Sequence, residues 1–336
     1  MSIFKTSTDE LESTAQIVHA VMQPTPQYNW PLLSVRACAE VWVKHENHTP
    51  TGAFKVRGGL IYVEDLLRRE PNCPGVIAAT RGNHGQSVAC AATRRGLAST
   101  VVVPHGNSVE KNAAMRAQGA EIVEHGVDFQ EAFEFSQELA VERGLHMFPS
   151  LHLLLVRGVG TYAWELLSSV SDLDTIYVPI GMGSGICGVI SARDALGLRT
   201  KVVGVVAENA PAYALSFERR EAVSTNLADT IADGLACRVP VIGALEAIWA
   251  GADRVVTVTE NQMKAAMRHY FTDTHNIAEG AGAAPLAALL KERGTMAGKR
   301  VGLILSGGNI DRNVYQRILM EDQNREEKLH DRGTIS

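Results

Sequence analysis

The chain has 336 residues, 46% of them hydrophobic and 21% charged, with a formal net charge of −5 at pH 7. This is the composition of a globular protein of one large or two medium domains, and the acidic balance argues against a general nucleic-acid or anionic-membrane surface. No apolar run approaches a membrane span, and Met1 to Ala20 carries Asp9, Glu10 and Glu12 without an apolar core segment, unlike a secretory signal. The cysteines Cys38, Cys73, Cys90, Cys187 and Cys237 are odd in number, widely spaced and without a Cys-x-x-Cys pair. Reduced thiols in a cytoplasmic protein are expected.

In chain order, residues 1–24 read as a helical lead-in, and Thr25-Pro26 and residues 30–34 as extended segments, since residues before proline prefer that form. Residues 40–44 form a strand by β-branched and aromatic content, and 44–50 a polar loop. Strands and helices then alternate. Helices are expected over 56–69, 83–95, 108–118 (Ser108 as N-cap) and 127–143, and strands over 75–79, 100–103 and 121–123. The second half repeats the rhythm, with strands over 175–179, 202–206, 255–258 and 300–305 and helices over 159–168, 185–196, 261–270 and 283–293. From Glu321 the tail is charged and its end is expected to be mobile. Apolar strands in this rhythm imply an α/β fold of two parallel-sheet domains with a ligand cleft between them.

The stretch Thr51-Gly-Ala-Phe-Lys-Val-Arg-Gly-Gly59 sets Lys55 between Phe54 and Val56. Burial disfavours the charged amine and lowers its pKa, which makes a nucleophile and a base. The plain alternative is a lysine at a helix start whose stem lies along apolar surface. Other chemistry is sought after strands, where open α/β sheets bind ligands. Thr80-Arg-Gly-Asn-His-Gly-Gln86 follows one strand and opens a helix, either an anion site suited to a carboxylate or a turn capped by Asn83. Gly181-Met-Gly-Ser-Gly185 follows another. Its alternate glycines turn several N–H groups to one point, as a phosphate cradle does or as a tight packing turn would. It lacks the Gly-Lys-Ser/Thr of a nucleoside-triphosphate loop and the Gly-x-Gly-x-x-Gly spacing, so a small phosphate monoester fits better. Ser306-Gly-Gly-Asn309 follows the last strand, with a hydroxyl facing the cleft or capping a helix. An amine, a phosphate site, a carboxylate site and a hydroxyl are what pyridoxal 5'-phosphate and an amino-acid substrate need.

With these motifs in order, and with Thr230-Ile-Ala-Asp-Gly234, the sequence resembles the fold type II (tryptophan synthase β-like) pyridoxal-phosphate enzymes from about Thr25 to Asp311. More narrowly it resembles the catalytic portion of serine/threonine dehydratases, threonine- and phenylserine-type ones above all, and serine racemases. The resemblance implies that Lys55 holds the cofactor and moves the α-proton, with Phe54 beside the ring. It implies that Asn83 bonds the ring's 3'-oxygen, that Gly181, Met182, Gly183, Ser184 and Gly185 hold the phosphate, and that Ser306 meets the pyridine nitrogen. Gly234 and Glu279 would line the cofactor pocket, and Thr80, Arg81, Gly82 and His84 the substrate site. A larger domain of 1–54 and 154–336, a smaller mobile one of 55–153 and a homodimer are also implied.

Two departures bear on chemistry. Arg81 stands where racemases of the family have a serine that acts on the second face, and an arginine does not give up a proton. Val206-Ala207 and Ala212 stand where some relatives have acidic metal ligands, so no metal is expected. The implied function is elimination of water from a 3-hydroxy amino acid to a 2-keto acid and ammonium. A serine-type racemase, a β-replacement synthase and a non-catalytic amino-acid sensor are the rival readings.

Overall fold

The computed structural model describes residues 4–321. The charged tail that follows Glu321 lies outside them. The chain opens with α1 (Thr8–His19), started by a reciprocal capping box between Ser7 and Glu10. β1 (Gln27–Asn29), α2 (Pro31–Ala37) and β2 (Glu40–His45) follow, then α3 (Lys55–Arg69), β3 (Gly75–Ala79), α4 (Asn83–Arg94) and β4 (Ala98–Val103). Next come α5 (Val109–Ala117), β5 (Glu121–Glu124), α6 (Phe129–Arg143), β6 (His146–Met147), α7 (Leu153–Ser169), β7 (Thr175–Pro179) and α8 (Ser184–Ala195). Then come β8 (Lys201–Ala207), α9 (Ala212–Arg219), α10 (Ile242–Gly251), β9 (Arg254–Val258), α11 (Glu260–Thr274), α12 (Gly280–Lys291), α13 (Arg293–Met296) and β10 (Arg300–Leu305), with residues 312–321 helical after it.

The strands form two sheets, a six-stranded one in the order β1-β2-β10-β7-β8-β9 and a four-stranded one in the order β5-β4-β3-β6. All pairings are parallel except that of β1 with β2. The fold is the α/β class with two parallel-sheet regions that the strand rhythm implies. The antiparallel edge strand is the one departure. β3 and β10 are buried along nearly their whole lengths, as strands covered by helices on both faces must be.

Several stretches differ from the sequence reading. Residues 31–34 are helical rather than extended. Trp30 is extended as a residue before proline should be, but Pro31 is the first helical residue, where its fixed φ suits a helix and its missing N–H costs nothing. α7 starts at Leu153 rather than 159, with the His152 ring accepting from the Leu154 N–H. α9 and α10 went unassigned because alanine, glycine and mixed residues blur their period. β6 is only two residues long and is held by β3 alone.

Candidate functional site

The ends of β3, β7 and β10 converge on the start of α3. The loop before α3 is tied in a small knot. Thr49 Oγ1 accepts from the Ala53 N–H at 2.9 Å and donates to the Ala53 carbonyl at 2.8 Å, and Gly52 takes a left-handed φ of 66°. The chain beyond β10 lies antiparallel to this loop. Phe54 N–H donates to the Ser306 carbonyl at 3.0 Å and Gly308 N–H to the Gly52 carbonyl at 3.0 Å, with a bridge between Ala53 and Gly307. Lys55 is the first residue of α3, and Ser87 of α4 donates to its carbonyl at 2.7 Å. Its ammonium stands 5.1 Å from the centroid of the Phe54 ring and has no hydrogen bond or ion pair among the described residues. Burial pushes the amine down to about 8, and the Glu279 carboxylate only partly offsets that.

α3, α4 and α8 all begin here, and no side chain caps any of them. The first N–H groups of α4 and α8 are free of partners within their helices, while in α3 the Arg57 N–H donates to the Phe54 carbonyl at 3.2 Å, so these ends are positive and suited to anions. At α8, Gly183 takes φ 101°, a backbone that side chains rarely adopt, and a Cβ there would meet Ala244 at 2.6 Å. Gly181 packs on the Gly234 carbonyl. Two tyrosines brace this loop. Tyr213 donates to the Met182 carbonyl at 3.0 Å, and Tyr162 to the Gly185 carbonyl at 3.2 Å. Ser184 and Gly185 are buried and Met182 is half-buried.

At α4, the Thr80 hydroxyl is buried and accepts from the Gly82 N–H at 3.1 Å. Asn83 is the first helical residue rather than the cap, which is Gly82. His84 is held neutral, its pKa lowered to about 3 by burial and by the nearby Lys55 charge. Its Nε2 is buried without a partner among the described residues. Arg81 differs from its neighbours. It is exposed, and among the described residues it has no ion pair or hydrogen bond.

Glu279 precedes α12 and turns its carboxylate inward instead of capping that helix. Asn83 Nδ2 donates to its Oε1 at 2.8 Å, and Asn309 Nδ2 donates to Asn83 Oδ1 at 2.8 Å and to the Thr51 carbonyl at 2.8 Å. Burial raises the Glu279 carboxyl to about 7 against the opposing pull of Lys111. The Ser306 side chain is buried and makes no hydrogen bond among the described residues. Beside Glu279 and Asn309 lies a cavity of about 300 Å³, walled by Lys111, Asp233 and Asp311 rather than by Lys55. Lys111 Nζ meets Asp233 Oδ2 at 2.6 Å and Ser108 bonds Asp311. Val206 is buried in an apolar cluster and Ala212 is buried, and among the described residues no group of three or more His, Cys, Asp or Glu is placed to hold a metal.

The structure thus brings together Phe54, Lys55, Thr80, Gly82, Asn83, His84, the 181–185 loop, Gly234, Glu279 and Ser306. Sequence reasoning gave no role to Asn309, although it stood in the Ser306-Gly-Gly-Asn309 motif. Tyr162, Tyr213 and Lys111 carried no local signal, because each acts on residues far away in sequence, and Asp233 stood in the Thr230-Ile-Ala-Asp-Gly234 motif without a role of its own.

A lysine amine of lowered pKa beside converging anion sites and a free hydroxyl defines an α/β enzyme that works through a lysine-held, phosphate-bearing cofactor. The family model "Pyridoxal-phosphate dependent enzyme" matches residues 19–307, and the chain belongs to that family. It is 32% identical to the L-threonine ammonia-lyase of Thermotoga maritima over 93% of this chain and 77% of that one. It is 38% identical to the L-threonine ammonia-lyase of Geobacter sulfurreducens over 81% of this chain and 67% of that one. A solved pyridoxal 5'-phosphate-dependent aspartate racemase superposes with a TM-score of 0.87 at 30% identity, covering 93% of this chain and 98% of that one.

The residues present fit the cofactor. The uncapped α8 start and its left-handed Gly183 would suit a phosphate, Lys55 would offer the amine, and the Ser306 hydroxyl and His84 Nε2 have no hydrogen-bond partner among the described residues. Lys55 could hold the carbonyl carbon, residues 181–185 the phosphate and Ser306 the ring nitrogen.

Proposed function

We propose that the chain removes water from a 3-hydroxy amino acid (threonine, serine or a 3-substituted serine) to give a 2-keto acid and ammonium. The observation that carries this is the Lys55 amine, lowered to about 8 at an uncapped helix start. Such an amine holds enough neutral form near neutral pH to act as a base. Pyridoxal phosphate, once bound, supplies an electron sink for the α-carbanion. Lys55 takes the α-proton. The N–H groups at the start of α4, with the Thr80–His84 loop around them, bind and orient the substrate carboxylate. Neutral His84 offers a polar atom without adding charge. Phe54, which stands beside Lys55, would bound the ring. Ser306 would give the ring nitrogen a neutral partner, which would hold a proton there less firmly than a carboxylate. The α C–H and β C–O bonds break, and the resulting enamine hydrolyses in water to keto acid and ammonium.

A racemase is the second reading, favoured by the likeness to the aspartate racemase. It needs an acid on the face opposite Lys55. Position 81 carries an exposed arginine rather than a hydroxyl-bearing side chain. This observation favours elimination. Keto-acid release against inversion of the amino acid, over a panel of 3-hydroxy amino acids of both configurations, decides between them.

Residues 55–153 are read as a smaller unit that moves against 1–54 and 154–336, and Lys111–Asp233 and Ser108–Asp311 join the two in this conformation. A cytoplasmic homodimer belongs to the same reading. No helix among the described residues is long and apolar enough to cross a membrane. Light scattering on the purified holoenzyme tests the dimer.

A further inference from the structure

Two residues beyond Lys55, Arg57 is fully buried. Its Nε donates to Glu46 Oε2 at 2.7 Å and its Nη2 to Glu46 Oε1 at 3.0 Å. Its Nη1 donates to Glu165 Oε1 at 2.6 Å and to Thr161 Oγ1 at 2.9 Å, and its Nη2 to Glu165 Oε2 at 2.9 Å. All five guanidinium N–H groups therefore have acceptors, the full fork an arginine can offer. Lys44, also fully buried, meets Glu165 Oε2 at 2.6 Å, so the two cations balance Glu46 and Glu165. Thr25 donates to Glu46 Oε1 and His19 lies 2.7 Å from Glu165 Oε1.

This cluster does more than an ion pair placed for stability needs to do, since buried pairs are often no better than apolar packing. Its location points to alignment. α3 has no capping side chain; its start is held by backbone bonds, Phe54 N–H to the Ser306 carbonyl and Ser87 to the Lys55 carbonyl, and Arg57 adds a side-chain anchor to them. Its backbone rests directly on α7 and α4. A Cβ on Gly58 would meet the Leu155 carbonyl at 2.8 Å, and Gly158 of α7 packs on the Arg57 carbonyl. Thr161, which accepts from Arg57, also donates to the Gly158 carbonyl at 2.7 Å. The guanidinium thus grips α7 beside the point where the two helices touch.

We propose that Arg57, clamped between Glu46 and Glu165, is a positioning residue that fixes the rotation of the first turn of α3 and so aims the Lys55 amine. This rests on the reading of Lys55 given above.

Arg57→Lys keeps the charge and loses the fork. In the holoenzyme its kcat should fall roughly tenfold to a hundredfold, the scale of a displacement of about 1 Å, with KM changed by less than about threefold. In the cofactor-free chain, competitive acylation read by mass spectrometry should show the Lys55 amine titrating higher by roughly half a unit or more, as it leaves its apolar frame. Glu46→Gln and Glu165→Gln should shift both readouts in the same direction. A lowered Tm with unchanged kcat and an unchanged Lys55 titration would overturn the proposal, and so would failure of all three variants to fold. Lys55→Ala, measured alongside, judges the underlying reading separately: turnover in that variant removes Lys55 from the chemistry, while the acylation data still decide whether Arg57 aims the amine.

Discussion

Asn83 and Glu279 face each other across the cleft, the amide Nδ2 donating to the carboxylate Oε1 at 2.8 Å. The two residues are 196 apart in sequence, and Asn309 fixes the other side of the same amide. This bond joins the loop after β3 to the start of α12. It also places a carboxyl group near Lys55 whose pKa is raised to about 7.

A pH dependence follows. A carboxyl raised from 4.5 to about 7 keeps, in the folded chain, a proton that the unfolded chain loses between those values. The folded state then binds more protons, so this group makes stability fall as pH rises through that window. Glu279→Gln keeps an acceptor for Asn83 and removes the effect. The cofactor-free variant should gain stability over the wild type between pH 4.5 and 7.5, by roughly 1–3 kcal/mol at the upper end. Denaturant titrations at several pH values check it, and a difference that does not vary with pH would count against it.

Lys55 has the opposite sign. Its amine is lowered from 10.5 to about 8, so between those values the unfolded chain binds more protons and stability rises with pH. Below pH 8 the folded chain carries the full cost of a buried charge. Lys55→Met should therefore raise the Tm of the cofactor-free chain at pH 7, with a gain that shrinks toward pH 10.5. Thermal melts at pH 7, 9 and 10.5 test this, and a Tm lowered at pH 7 would contradict it.

Ser306 is tested by adding charge. Ser306→Asp would place a carboxylate at the ring nitrogen and stabilise a proton there, so transamination and other abortive products should rise while keto-acid release falls by about tenfold or more, the scale of one charged hydrogen bond. Product ratios by chromatography read the change. A variant with wild-type rate and ratio would show that the hydroxyl does not meet the ring.

Arg81 should matter little. The side chain is exposed and has no ion pair or hydrogen bond among the described residues, so its backbone rather than its guanidinium belongs to the loop. Arg81→Ala should lower kcat/KM by less than about threefold, well under the roughly 1.5–3 kcal/mol of a hydrogen bond to a charged group. A loss of tenfold or more would mean that the guanidinium reaches the substrate.

The sheets and most site loops were legible because their signals are local. Apolar runs such as 300–305 marked buried strands, and glycine clusters after 79, 179 and 305 marked the turns at strand ends. The helix over 31–37 was hidden by its proline, which favours an extended residue before it and a helix after it. The Asn309–Asn83–Glu279 chain and the Glu165 side of the clamp on Arg57 were not legible, because they join residues about 100 to 230 positions apart that only the folded sheets bring together, and Glu46, 11 positions from Arg57, carries no periodic signal toward it. The raised Glu279 carboxyl likewise depends on burial that the sequence does not display.

The most direct measurement of the central claim is keto-acid release by Lys55→Ala, purified with pyridoxal phosphate and assayed on the best 3-hydroxy amino acid substrate of the wild type. The account predicts a folded protein that lacks the visible absorbance of lysine-bound cofactor and releases no keto acid above background. Elimination at near wild-type rate in that variant would contradict it.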